Sequence, residues 1–295
     1  MSTAGPAALG LGSAALLYSV AETELFVLRR VTVPCLPAGR GPLRILHISD
    51  LHLAPGGRRE REWVSALVDT EPDLVVATGD FLAHPDSVPL VLSALGSLLA
   101  LPGAFVFGSH DYYRPVLKNP VRYLIGPSRL EQRREPDLPW RELARSLTQS
   151  GWKDLSNARA GLTVGGLRID LRGVDDPHID RDDYSQVAGP FDADADLRLG
   201  LTHAPYRRVI EAMSDDGADL ILAGHTHGGQ LRVPGWGALV SNCDLPPKLA
   251  RGLSRHGGSR LHVSAGLGTS PYAPIRFACR PEASLLTLTS APLGR

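Results

Sequence analysis

Five short apolar runs in this chain each end in a fragment that pairs histidine or aspartate with glycine or another small residue, and that repeated placement constrains the fold more than any other feature. Leu43 to Ile48 runs into Asp50-x-His52, and Asp73 to Ala77 runs into Gly79-Asp80. Ala104 to Phe107 is followed by Gly108-Ser109-His110-Asp111, Leu197 to Leu201 by Thr202-His203, and Leu220 to Ala223 by Gly224-His225-x-His227. Runs of this length and composition read as buried strands. One D-x-H or H-x-H fragment alone is more often a surface pair or a satisfied polar pair in the core. Five of them, in order and each at a strand end, point to one site, because ligands of open α/β sheets bind beyond the carboxyl ends of the strands.

The segments between those strands support the same architecture. Arg58 to Val68 and Val88 to Leu101 read as helices alternating with the first strands, the rhythm of a parallel α/β core. Trp140 to Thr148 and Val209 to Met213 read as further helices, Leu162 to Val174 as a hairpin, and Leu261 to Ser264 and Ala283 to Thr289 as late strands. The second half is richer in β-structure, which predicts two sheets rather than one doubly wound sheet. The expected organisation is an N-terminal apolar segment over residues 1–30, a Pro- and Gly-broken link from Pro34 to Pro42, and a catalytic domain over residues 40–295. Basic and acidic residues balance at 31 each, so no basic field of the kind that holds phosphate backbones is present, and nucleic acid is not expected as the main partner. Cys35, Cys243 and Cys279 are odd in number and far apart, which fits a reducing compartment.

Ala4 to Val20 is weakly apolar and lacks a basic region before it, so a secretory signal is not expected. Seventeen residues rich in Gly and Ala fall short of the roughly 20 wanted for a membrane span, and Glu22 and Glu24 make extension costly. Two readings stand: a peripheral helix on the domain or membrane surface, or an inserted anchor. In the second, Arg29 and Arg30 keep the rest of the chain cytoplasmic, at the inner face of the membrane.

The strand-end residues offer oxygen and nitrogen donors and no thiolate, a set suited to Mn²⁺, with Fe or Zn²⁺ also accommodated, rather than to a Cys-based structural zinc. Six ligating residues exceed the needs of one catalytic metal, so a site for two divalent ions bridged by a carboxylate is implied. Two cations neutralise an anionic phosphodiester, acidify the water that attacks it and clamp the oxygens of an in-line displacement. A leaving alkoxide also needs a proton, and His110, oriented by Asp111, is the candidate donor.

Asp50-x-His52, Gly79-Asp80, Gly-x-His110-Asp111, His203 and Gly224-His225-Thr226-His227 together resemble the calcineurin-like metallophosphoesterase superfamily. GHTHGGQ (Gly224 to Gln230) and Gly266 to Arg276 further resemble its bacterial membrane-linked branch, similar to UDP-diacylglucosamine pyrophosphatases and other phosphodiesterases. The resemblance implies an α/β fold: a two-sheet β-sandwich flanked by helices in four layers (αββα), with the metals at the sheet edge. It implies Asp50, His52 and His227 on the first metal, Asp80 as the bridge, His203 and His225 on the second, and a bridging hydroxide as nucleophile. Ser109 departs from the pattern, which has Asn there as a ligand of the second metal. The second metal is then weakly held, or is reached through a water on Ser109, or takes His110 as its ligand. The competing reading is a metal-binding, membrane-associated protein whose catalysis is weakened or lost with that Asn. His47 is expected in the core or just behind the site; His84, His178, His256 and His262 have no motif partner, and Asp175-Asp176 reads as a turn, with a place just behind the metal ligands as the alternative. Asp111 to Arg141 carries a net charge of +3 with Tyr112, Tyr113, Leu117, Tyr123 and Leu124 among its residues, an amphipathic excursion suited to a small-molecule or lipid-linked phosphodiester presented at a membrane.

Overall fold

The computed structural model describes residues 4–116, 135–269 and 272–290, with side chains from residue 13 onward. Helix α1 (Ala4–Glu22) leads into strand β1 (Val27–Leu36), and β2 (Leu43–Ile48), α2 (Arg58–Ser65), β3 (Leu74–Thr78), α3 (Ser87–Leu95) and β4 (Gly103–Val106) follow in alternation. A single turn, α4 (Ser109–Tyr112), precedes α5 (Trp140–Gln149) and the short β5 (Lys153–Asp154). The second half runs β6 (Ala158–Val164), β7 (Leu167–Gly173), β8 (Leu197–Leu201), α6 (Arg207–Asp215), β9 (Leu220–Ala223), β10 (Arg232–Val233), β11 (Gly237–Ala238), β12 (Gly252–His256), β13 (Ser259–Val263) and β14 (Glu282–Ser290).

These strands form two six-stranded sheets, ordered β1-β14-β2-β3-β4-β5 and β12-β13-β9-β8-β7-β6, with β10-β11 as a separate hairpin. The central strands are parallel in both sheets. Such strands are covered on both faces, which is why LRILHI and LVVAT are apolar without alternation. Leu43 and Ile45 of β2 and Leu74 and Val76 of β3 face Leu199, Leu201, Leu220 and Leu222 of the other sheet. Their neighbours Leu46, Ile48, Val75 and Ala77 face the layer of α2, α3 and α5. Ile221 and Val263 on the outer face of the second sheet pack on Val209, Ile210 and Met213 of α6. The result is the four-layer αββα sandwich, in which each fully buried Leu or Val contributes about 1.5–3 kcal/mol.

Two expectations are corrected. The link expected from Pro34 to Pro42 begins only after Leu36, because β1 runs through Pro34 and Cys35 and pairs in parallel with β14. Val33 and Leu36 are drawn into the layer between the sheets, and an edge strand tolerates the missing N–H of Pro34. The sandwich therefore takes in residues from Val27. The second correction is Tyr112, which is no boundary aromatic: it is buried, with its hydroxyl donating to Asp175 at 2.8 Å. Leu117, Tyr123 and Leu124, with Lys118, Arg122, Arg129, Arg133 and Arg134, lie outside the described residues.

Candidate metal centre

The loops after β2 and β3 continue the pairing of their strands. Asp50 N donates to Gly79 O, His52 N to Asp80 O and Leu53 N to Phe81 O, each at 2.9–3.0 Å, and Gly224 N likewise donates to His203 O in the other sheet. Within this frame Asp50, His52, Asp80, His225 and His227 all have positive φ, between 44° and 68°. Left-handed backbone costs a non-glycine residue on the order of 1–2 kcal/mol, and strain gathered on five residues of one site is typical of functional geometry.

The side chains converge in two groups that share Asp50: Asp50, His52 and His227, and Asp50, Asp80 and His203, each with ligand atoms within 4.8 Å of one another. His52 Nε2 lies 3.2 Å from His227 Nε2, and His227 Nε2 lies 3.7 Å from Asp50 Oδ1. Asp80 Oδ2 is 3.4 Å from both His52 Nε2 and His203 Nε2. His203 Nδ1–H donates to Thr78 O at 2.6 Å, which leaves the Nε2 lone pair directed inward. That buried Nε2 has no hydrogen-bond partner.

Burial pushes the pKa of His52 down to about 3 and holds His225 and His227 well below the ordinary value, so all three are neutral imidazoles at pH 7, the form that ligates metal. Burial also opposes charge on His203, but Asp80, Asp176 and Asp50 outweigh it and raise its pKa well above the ordinary value. Without a cation His203 therefore carries a proton on Nε2, and a bound cation would replace that positive charge between the carboxylates and free the lone pair. The oxygen and nitrogen donors, the inward lone pair and this place for positive charge fit divalent cations.

A hydrogen-bonded chain supports Asp50 from behind. Ser49 Oγ donates to Asp50 Oδ2 at 2.5 Å and Thr78 Oγ1 donates to Ser49 Oγ at 2.8 Å. With its own proton committed, the Thr78 hydroxyl accepts from His47 Nε2 at 2.9 Å, which makes His47 Nδ1 the acceptor from His262 Nδ1 at 3.1 Å. His262 had no partner in the sequence; the partner is His47, reached across the layer between the sheets.

Not every expected residue joins the two groups. His225 belongs to neither. Its Nε2 faces Asn242 O at 3.1 Å, its ring centroid is 5.2 Å from that of His203, and its backbone N–H donates to both oxygens of Asp50. The His110 ring stands 5.2 Å from that of His52 and its Nδ1 is 3.1 Å from Tyr113 O, while the backbone N–H of His110 donates to Asp80 Oδ1. Asp111, expected to orient that ring, instead accepts from the backbone amides of Asp80, Phe81, Leu82 and Gly108 and thereby ties two strand-end loops together. Ser109 is buried at the start of α4. His84 is half-buried, with its Nδ1 3.5 Å from Asp86 Oδ2.

Three more residues bear on the site: His178 and Arg276, to which the sequence assigns no role, and Asp176, for which it leaves a place behind the ligands open. His178 places its ring centroid 4.3 Å from that of His225, and its Nδ1 meets Tyr206 Oη at 3.1 Å. Asp176 caps the turn before it, and its buried Oδ2 has no hydrogen-bond partner. Arg276 is wholly buried, with Nη2 at 2.7 Å from Gly268 O, 2.9 Å from Ala265 O and 3.3 Å from His227 Nδ1. No spacing rule pointed to His178; Arg276 lay in the Gly266 to Arg276 motif but had been given no role.

The Calcineurin-like phosphoesterase family matches residues 43–229. Among curated proteins, the uncharacterized metallophosphoesterase YkoQ of Bacillus subtilis (strain 168) is 32% identical, over 84% of this chain and 83% of its own. Phosphodiesterase YaeI of Escherichia coli (strain K12) is 30% identical over 90% of each chain. The UDP-2,3-diacylglucosamine pyrophosphatase LpxG of Chlamydia trachomatis serovar D is 28% identical, over 85% of this chain and 84% of its own. With the αββα sandwich and these ligand groups in place, the chain belongs to the calcineurin-like phosphoesterases, metal-dependent hydrolases of phosphoric ester bonds.

Proposed function

We propose that the protein hydrolyses a phosphodiester or pyrophosphate bond with a pair of divalent cations, Mn²⁺ foremost. The observation that carries this reading is Asp80 Oδ2 lying at equal distance from His52 of one ligand group and His203 of the other, two groups that also have Asp50 in common. Asp50, His52 and His227 would hold the first cation; Asp80 would be shared, and His203 with the neighbouring His225 would serve the second. Bound cations would supply charge neutralisation for the phosphate and acidify the attacking water. The chain's own groups do the rest. The His262–His47–Thr78–Ser49 chain fixes the Asp50 carboxylate, and Asp111 holds the backbone that presents Asp80. His110, at the edge of the group beside His52, gives a proton to the leaving oxygen.

The substrate is a small or lipid-linked phosphodiester, and the chain acts in the cytoplasm, at the inner face of a membrane. Support for the lipid-linked class comes from the LpxG relative and from the apolar N-terminal helix. The test is turnover of an aryl phosphodiester, a pyrophosphate diester and an aryl monoester by protein stripped of metal and reloaded with Mn²⁺. Metal-dependent turnover that favours the first two substrates is expected. Metal binding with no turnover of any of the three would overturn the reading and leave a metal-binding protein that lost catalysis with Ser109.

A further inference from the structure

Helix α1 has no charged residue before Glu22, and it is not amphipathic in the described part: every side chain from Ser13 to Ala21 except Ser19 is exposed, with Leu17 at 72%. A helix apolar on all sides is not stable in water by itself, and a protein partner covers only one stripe of it. A second apolar feature stands beside it. The β10-β11 hairpin follows directly from the His227 turn and exposes Val233, Leu239 and Trp236, the last at 83%.

The segment Arg276 to Phe277 joins these two features to the metal centre. Arg276 N donates to Ser19 O of α1 at 2.9 Å, and Phe277 packs edge-on against Tyr18 at 5.8 Å. Arg232 N at the hairpin base donates to Phe277 O at 2.9 Å, and Arg232 Nη1 donates to Gly228 O at 2.7 Å. Arg276 Nη2 lies 3.3 Å from His227 Nδ1. Arg280 is exposed and donates to Leu25 O and Phe26 O, just past the end of α1.

We propose that α1 and the Trp236 hairpin form one surface that seats the protein on an anionic lipid bilayer, with the His227 side of the metal centre next to the lipid. The inference rests on the membrane-attached part of the reading above and deepens it by adding the hairpin and the orientation. With no charged face before Glu22, the helix can sink below the headgroups of one leaflet, where acyl chains reach more of its circumference than a protein partner would. Tryptophan at a hairpin tip suits the boundary between headgroups and acyl chains, and arginines at the rim suit anionic headgroups. Among the described residues no helix is long and apolar enough to cross a membrane, so α1 is read as lying in the boundary rather than spanning it.

The test is flotation of the full chain with phosphatidylcholine vesicles, with and without phosphatidylglycerol, comparing wild type, Leu17→Ser and Trp236→Ser. Both substituted residues are exposed, so the fold is retained, and turnover of a soluble aryl diester is expected to stay at the wild-type rate. Each variant should partition roughly tenfold or more weakly into the anionic vesicles. Brominated lipid should quench wild-type fluorescence and leave the Trp236→Ser protein less affected. Equal partitioning of wild type and Trp236→Ser overturns the hairpin assignment. Wild type that stays with the vesicle-free fraction overturns the surface entirely, while diester turnover stands apart from both results. A dimer in light scattering that Trp236→Ser dissolves would replace the bilayer with a second copy of this chain.

Discussion

Gly108 offers a direct test of how tightly the ligands are packed. Its φ of −116° is open to any residue, so alanine adds only a methyl group there and no backbone strain. That methyl would sit 2.7 Å from His203 Cε1 and Nδ1, and closer still to Asp80 Oδ1. Ordinary contact begins near 3.4 Å, so His203 must retreat by about 0.7 Å and Asp80 by about 1.1 Å, against a tolerance of about 0.2 Å in metal–ligand distances. We expect Gly108→Ala to weaken metal binding at the Asp80–His203 group by about 10–100-fold, with an overpacking cost of about 1–3 kcal/mol in stability. Isothermal titration of metal-free protein with Mn²⁺ reads the first quantity and urea unfolding the second. Gly161→Ala is the control, since its new methyl meets only Ile169 O at 4.0 Å. Superimposable titrations for wild type and Gly108→Ala would refute the claim that these two side chains hold the metal where they stand.

Asp80→Asn should abolish activity more completely than His110→Ala, because the first removes a charge that faces a histidine of each group while the loss of a proton donor costs about 10²–10⁴-fold; equal metal content in Asp80→Asn and wild type would count against the bridging role. Ser109→Asn should tighten the second metal and lower the concentration for half-activation, whereas coincident metal titrations would remove residue 109 from the site. Burial holds His262 neutral, with its pKa pushed from 6.5 down to about 4, so below pH 6.5 the unfolded chain takes up a proton that the folded one refuses. Stability is therefore complete above pH 6.5 and falls as the pH drops toward 4, by about 3 kcal/mol for this residue. Urea midpoints of metal-free wild type and His262→Gln at pH 7.5 and pH 5 check this, and parallel losses in both would contradict it.

The strand ends were legible because function and fold write the same signal there: an apolar run stops where a glycine or a strained polar residue turns the chain into the crevice, as at Thr78-Gly79-Asp80. Two sheets and the major helices followed from periodicity. β1 was obscured by Pro34 and by charged Arg29 and Arg30, since an edge strand needs few buried positions and tolerates proline. His178 stayed hidden because it sits in a turn after β7, with no fixed spacing to the other histidines. His47 and His262 are 215 residues apart and meet only because β2 and β13 face each other across the sandwich. Asp111 adjoins His110 in sequence, yet its carboxylate answers to backbone amides, a role that sequence adjacency does not reveal.

The central claim is that two cations occupy one site around Asp80. Metal analysis of protein reloaded to full phosphodiesterase activity tests it most directly: the account predicts about two equivalents of metal per chain, falling in Asp80→Asn together with activity. Full activity with a single equivalent, or activity that survives complete removal of metal, would contradict it.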